Sequence, residues 1–162
     1  MRAFLFSLAA FTAVVTDGRG YTPPPALTFY IVSETKFEEG RFIDSPDLPK
    51  GGYIGATPDL TVTKLESVTR KMIPTFAVDE NGKTTPALGP TLVILMRPED
   101  AHKFTVLTQR AIDRRVLMML GGRPLIAPFV HEPIMTKSFD ITFRADDVEV
   151  KEIEDTLDKL VQ

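Results

Sequence analysis

Apolar residues along this chain fall into short runs with two spacings, and the switch between them sets the predicted order of elements. Leu27 to Val32 (LTFYIV) is rich in aromatic and β-branched residues and reads as a strand. Residues 33–58 turn polar, with Pro46, Pro49 and Pro58 and Gly40, Gly51, Gly52 and Gly55. They read as a long loop, broken by at most one short strand around Tyr53-Ile54. Leu60 to Leu65 alternates apolar and polar, as a half-buried strand does. Ile73–Val78 and Thr84-Thr85 flank the turn dipeptide Asn81-Gly82, which predicts a hairpin.

The second half is patterned more strongly. Thr91 to Met96 (TLVILM) is a buried-strand run, and Pro98 opens a helix at the position that best tolerates proline, with Glu99 and Asp100 in its first turn. Ala101, Phe104, Leu107, Thr108 and Ala111 then recur at helical spacing and form one stripe. Arg114 to Leu120 (RRVLMML) reads as a strand, Gly121-Gly122 as a tight turn, and Pro124 to Val130 as its partner. Pro124 and Pro128 cannot donate ladder hydrogen bonds, so that partner is expected at an edge or bulged. Ser138 to Phe143 is another strand. Asp146 with Glu149 resembles a capping box and opens a last helix, with Val150, Ile153, Leu157, Leu160 and Val161 on one face. The order β-α-β-β-β-α over 91–161 predicts an α+β fold, a mainly antiparallel sheet with two helices packed on one face. Leu92, Ile94, Phe104, Leu107, Val116, Met118, Ile153 and Leu157 are its expected core.

The N-terminus changes the picture. Met1-Arg2 precedes thirteen uncharged residues, Ala3 to Val15. This is short of the roughly 20 needed to span a membrane but suits the apolar region of a secretory signal. Cleavage after Gly20 would place Gly18 and Gly20 at the −3 and −1 positions. A buried N-terminal element or an uncleaved anchor would show the same pattern. The chain therefore divides into a signal peptide at 1–20 and one domain at 21–162, located in the periplasm or secreted. With no cysteine among 162 residues, lipid attachment, disulfides and thiolate metal sites are excluded. A hydrophobic share of 43% with 25% charged residues is that of a globular chain, and the net charge of −3 does not favour nucleic acid.

Several stretches together resemble the head of the first periplasmic domain of the SecD protein-export subunit. These are Thr91-LVILM-Arg97-Pro98-Glu99-Asp100-Ala101-His102-Lys103-Phe104 with Leu107-Thr108, then Arg115-VLMML-Gly121-Gly122-Arg123, Ile126-Ala127-Pro128 and Glu132-Pro133-Ile134. Upstream, Leu27-TFYIV-Ser33-Glu34 resembles the strand that begins the family's domain. The resemblance is best over 91–161, with 26–90 more variable, and it departs at Met135-Thr136-Lys137, where the family has paired glycines. It implies contact with a protein or peptide partner in the cell envelope, with no catalytic, cofactor or metal residues. The family's membrane spans have no counterpart in this chain.

Candidate chemistry is sparse. None of the five serines, Ser7, Ser33, Ser45, Ser67 and Ser138, sits in a Gly-x-Ser-x-Gly elbow. His102 falls off the helix's apolar stripe. His131 beside Glu132, with a residue of the 40–58 loop, is the alternative: a small envelope hydrolase. Gly82-Lys83-Thr84 mimics the end of a phosphate loop, but Ala77 stands where glycine is required and Pro86 breaks the helix that must follow. Acidic residues at Asp146, Asp147, Glu149, Glu152, Glu154 and Asp155 suit a cap and a solvated helix face. Lys103, Arg110, Arg114 and Arg115 form a possible basic patch, more plainly explained by the helix dipole. Pro124, Pro128 and Pro133 leave an incompletely paired edge where a peptide could add, although edge prolines more often prevent pairing.

Overall fold

The computed structural model describes residues 25–45, 47–78, 82–143 and 147–161. The signal reading of 1–20, Asn81 of the predicted turn and the Asp146 cap lie outside the described residues. Strand β1 (Leu27–Val32) is the centre of the molecule, pairing antiparallel with β4 (Leu60–Val62) on one side and β7 (Arg114–Leu120) on the other. β8 (Arg123–Ile126) and β9 (Phe129–Val130) both pair with β7 and complete a five-stranded sheet. A three-stranded sheet has the order β10 (Ser138–Thr142), β6 (Thr84–Met96), β5 (Leu65–Val78). Helices α1 (Pro98–Arg110) and α2 (Asp147–Asp158) complete the α+β architecture.

Both helices bury their stripes against the same face of the five-stranded sheet. Leu27, Phe29, Leu60, Val62, Val116, Met118 and Leu120 meet Ala101, Phe104, Leu107 and Ala111 of the first helix region and Val150, Ile153, Leu157 and Leu160 of the second. Leu92, Ile94, Met96 and Ile141 close this core from the smaller sheet. Phe104 lies between two rings, 5.1 Å from Phe29 and 5.5 Å from Phe139 between centroids. All eight residues expected in one core are there. Val161 is not: it follows the helix, is partly exposed, and makes a single parallel bridge to Leu65.

The polar stretch 33–58 is not a long loop, and the short strand expected at Tyr53-Ile54 is the end of a longer one. The stretch folds into a hairpin of β2 (Arg41–Ser45) and β3 (Leu48–Ile54), which covers the other face of the large sheet. Leu48 and Ile54 pack there on Tyr30, Val32, Leu117, Met119 and Ala127. That second cover explains why RVLMML is continuously apolar: a strand buried on both faces has no polar side to show. Two glycines allow the approach. A Cβ on Gly52 would stand 2.3 Å from Val32 Cγ1, and Gly51 adopts φ +64° beneath the Phe42 ring.

The expected strand over 60–65 is split. β4 ends at Val62, and Leu65 already belongs to the other sheet, after the exposed Thr63 and Lys64. The expected hairpin is longer than its apolar runs, pairing Leu65–Val78 with Thr84–Met96. Gly121 (φ +56°) and Gly122 (φ +86°) make the β7–β8 turn with the two positive φ angles that the tightest hairpins need. β8 and β9 are interrupted at Ala127, whose N–H donates to Asp47 Oδ2 (3.2 Å) and whose carbonyl accepts from Arg115 (2.7 Å). Side chains thus take over where Pro124 and Pro128 weaken the ladder.

Candidate functional site

The structure separates the residues proposed for chemistry. His131 is exposed and lies against the Phe129 ring, centroids 4.8 Å apart. Glu132 is exposed beside it. Among the described residues, neither His131 nor His102 has a side-chain hydrogen bond or ion-pair partner that would orient an imidazole. Ser33 Oγ is held by its own turn, donating to the Thr35 carbonyl (2.7 Å) and accepting from the Thr35 N–H (3.2 Å). Ser45 is buried. A nucleophile, a base and an orienting group are therefore not assembled around His131 among these residues. The described residues also contain no group of three His, Asp or Glu side chains fit to hold a metal ion.

The proposed basic patch divides. Lys103 bonds Asp100 (2.8 Å); that hydrogen bond, with the carboxylate's charge, raises its ammonium pKa above the ordinary value. Arg110 reaches Asp59 (3.4 Å), whose other oxygen accepts from the Ile31 N–H (2.9 Å). Arg114 donates to the Arg110 carbonyl (3.3 Å) at the helix C-terminus, as the dipole reading expects. Arg114 and Arg115 also line a cleft of about 650 Å³, with Val32, Ser33, Glu34, Leu48–Gly51, Asp113 and Phe129. The cleft lies between the β2–β3 hairpin and the turn into β7. That turn passes through Asp113 at φ +60°, a left-handed conformation that aspartate tolerates better than most residues. No sequence motif marks the cleft, because its walls come from positions as far apart in the chain as Val32 and Phe129.

The second feature is an arm. β10 stops pairing at Thr91, and beyond it β5 and β6 continue as a two-stranded ribbon from Met72–Pro90 to Val78–Thr84. At about 3.4 Å per residue this is roughly 24 Å of ribbon. Cross-strand partners share a face, so Met72, Pro74, Phe76, Pro86, Leu88 and Pro90 lie together. This is the face that carries Leu92 and Ile94 into the core; Pro90 on it is still buried, and Met72, Leu88 and Phe76 beyond it are exposed. Phe76 is 70% exposed, Leu88 63% and Met72 50%.

Hydrogen-bond phase explains the prolines. Phe143 N–H donates to the Pro90 carbonyl (3.0 Å) and Met96 N–H to the Lys137 carbonyl (2.8 Å). Even-numbered backbone groups of β6 therefore point away from β5, and even-numbered groups of β5 point to its free edge. Pro74 consequently removes a donor from one outer edge of the arm, and Pro86 removes one from the other. Each edge is thus interrupted for strand addition while the apolar face stays open.

No protein-family model and no curated protein matches the sequence. Among solved structures, the fold is similar to that of SecDF, described as a membrane component that enhances protein export. The TM-score is 0.54 and the identity 22%, over 84% of this chain and 63% of that one. A second SecDF structure, in a super-membrane-facing form, has the same score and identity over 84% of this chain and 19% of its own. The chain thus spans less than two thirds of either. An α+β fold of SecDF type is what these matches define. Among the described residues, no helix is long and apolar enough to cross a membrane.

Proposed function

We propose that this chain is an exported, non-catalytic module of the SecD head type, which holds a protein or peptide partner in the cell envelope. The SecDF-like fold over 84% of the chain carries the reading. The apolar first segment supports export, and the open face of the arm supports contact with the apolar side chains of a partner. Cell fractionation with mass spectrometry of the mature N-terminus tests the location. An envelope protein beginning near Tyr21 is expected, and a cytoplasmic protein retaining Met1 would overturn the reading. Contact is tested with a reduced, alkylated and permanently unfolded protein as probe. Phe76→Asp should weaken its binding at least fivefold without lowering thermal stability, because Phe76 lies outside the core.

A further inference from the structure

The cleft holds charges that no ion pair within the described protein uses. Lys50 comes from β3, and Arg114 and Arg115 from the start of β7. Among the described residues, no carboxylate oxygen lies within 4.0 Å of any of their charged nitrogens, whereas Arg110, four positions before Arg114, is paired with Asp59. Glu34 and Asp113 also line the cleft, so cations outnumber anions there. This is the reverse of the whole chain, whose 22 acidic residues exceed its 19 basic ones. In a partly enclosed site an arginine–carboxylate contact is stronger than on open surface, and the guanidinium fork fits a carboxylate with two parallel hydrogen bonds.

The backbone adds a second observation. Ser33 and Tyr53 exchange both hydrogen bonds, each 2.8 Å, in an isolated bridge between the end of β1 and β3. Past that bridge the chain leaves at Glu34, and Leu48–Gly51 of β3 line the cleft. Among the described residues, no strand pairs with β3 on this side. This stretch carries Pro49 and Gly51 at positive φ, and its register with β2 is irregular between Ile43 and Ser45, so it forms a wall of the cavity rather than a regular free strand edge. Val32 and Leu48 give that cavity apolar wall, and the half-exposed Phe129 adds more.

We propose that this cleft binds an extended acidic peptide, with its carboxylates on Lys50, Arg114 and Arg115. The proposal rests on the peptide-binding function above and names the chemistry that one site of it selects. Three cations supplied by two elements suit several carboxylates along one strand better than a lone anion. The volume, about 650 Å³, is within the usual range of about 300–1,000 Å³ for ligand sites.

The test uses the full chain and three fluorescent, end-blocked pentapeptides, Glu-Leu-Glu-Val-Glu and its counterparts with Gln or Lys at the three Glu positions. The Glu peptide should bind at least tenfold more tightly than the Gln peptide, and the Lys peptide should not bind. The double variant Lys50→Gln/Arg114→Gln should lose most of that preference. Both side chains are exposed, so its melting temperature should be unchanged. If the variant fails to fold, the Glu-to-Gln ratio on the unaltered protein decides alone. Equal binding of the peptides, no binding of the Glu peptide, or a preference that survives the double substitution overturns the proposal. Full displacement of the Glu peptide by equimolar inorganic phosphate also overturns it, since that describes a lone-anion site. The unfolded-protein probe separates the two readings. A protein that retains that probe through Phe76 but ignores the Glu peptide loses this cleft and keeps the broader function.

Discussion

Thr108 is, with Ser45 and Thr91, a buried polar residue among those described, and its surroundings show what a helical stripe leaves unsaid. Its hydroxyl bonds the Phe104 carbonyl (3.0 Å) and accepts from the Ile134 N–H (3.0 Å), while Thr105 donates to the Ile134 carbonyl (2.8 Å). Two threonines thus satisfy both backbone groups of a residue outside any strand. The spacing of Ala101, Phe104, Leu107 and Thr108 predicted that Thr108 would be buried. It could not predict the clamp, since Ile134 lies 26 positions away. A denaturant series separates these contributions. Phe104→Ala empties a site within three packed rings and should cost about 3–5 kcal/mol. Thr108→Val keeps the shape but strands the Ile134 N–H, which should cost about 1–3 kcal/mol. His102→Ala on the wet side of the same helix should change stability by less than about 0.5 kcal/mol. Equal midpoints for Phe104→Ala and His102→Ala would mean that the helix is oriented differently.

At the scale of elements, legibility followed burial. β1 and β7, apolar and centrally paired, stand where their runs of residues placed them, and α1 follows its stripe. The β2–β3 hairpin was missed because little in it is apolar: RFIDS and LPKGGYI contain a proline, two glycines and several charges. Its fixed geometry comes from the sheet it covers, through Leu48 and Ile54, and such support has no local signature. The length of the β5–β6 hairpin was missed for a similar reason, since Glu66 to Lys71 is half-exposed and shows no apolar run. The candidate cleft was illegible as a whole, because it joins β3 to the turn after α1. The prolines of the arm make an element-scale prediction. Pro74→Thr with Pro86→Thr restores one donor to each free edge and replaces proline with a good strand former. Sedimentation velocity should show concentration-dependent self-association in the double variant and not in the parent protein. A variant that remains monomeric at every concentration would mean that the prolines do not guard the edges.

At the scale of the whole molecule, the five-stranded sheet binds two apolar clusters into one structure. Along β7, Val116, Met118 and Leu120 face the helices while Leu117 and Met119 face the β2–β3 hairpin; along β1, Phe29 faces the helices while Tyr30 and Val32 face the hairpin. Neither cluster can loosen without disturbing strands that carry the other. The hairpin could still behave as a separate flap, since among the described residues its backbone pairing with the rest is the Ser33–Tyr53 bridge, with Asp47 adding one side-chain hydrogen bond to Ala127. Packing decides against that, because its removal would expose Tyr30, Val32, Leu117 and Met119 on the sheet's second face. Ile54→Ala, fully buried in the second cluster, should therefore cost about 2–5 kcal/mol and lower the midpoint of a single transition. Phe104→Ala in the first cluster should shift that same transition. Far-ultraviolet circular dichroism and tyrosine fluorescence, to which Tyr30 and Tyr53 at the hairpin contribute along with Tyr21, should give coincident curves for both variants. An earlier fluorescence transition in Ile54→Ala would make the hairpin a separately folding flap. The wall of the cleft formed by Leu48–Gly51 would then open and close independently of the core.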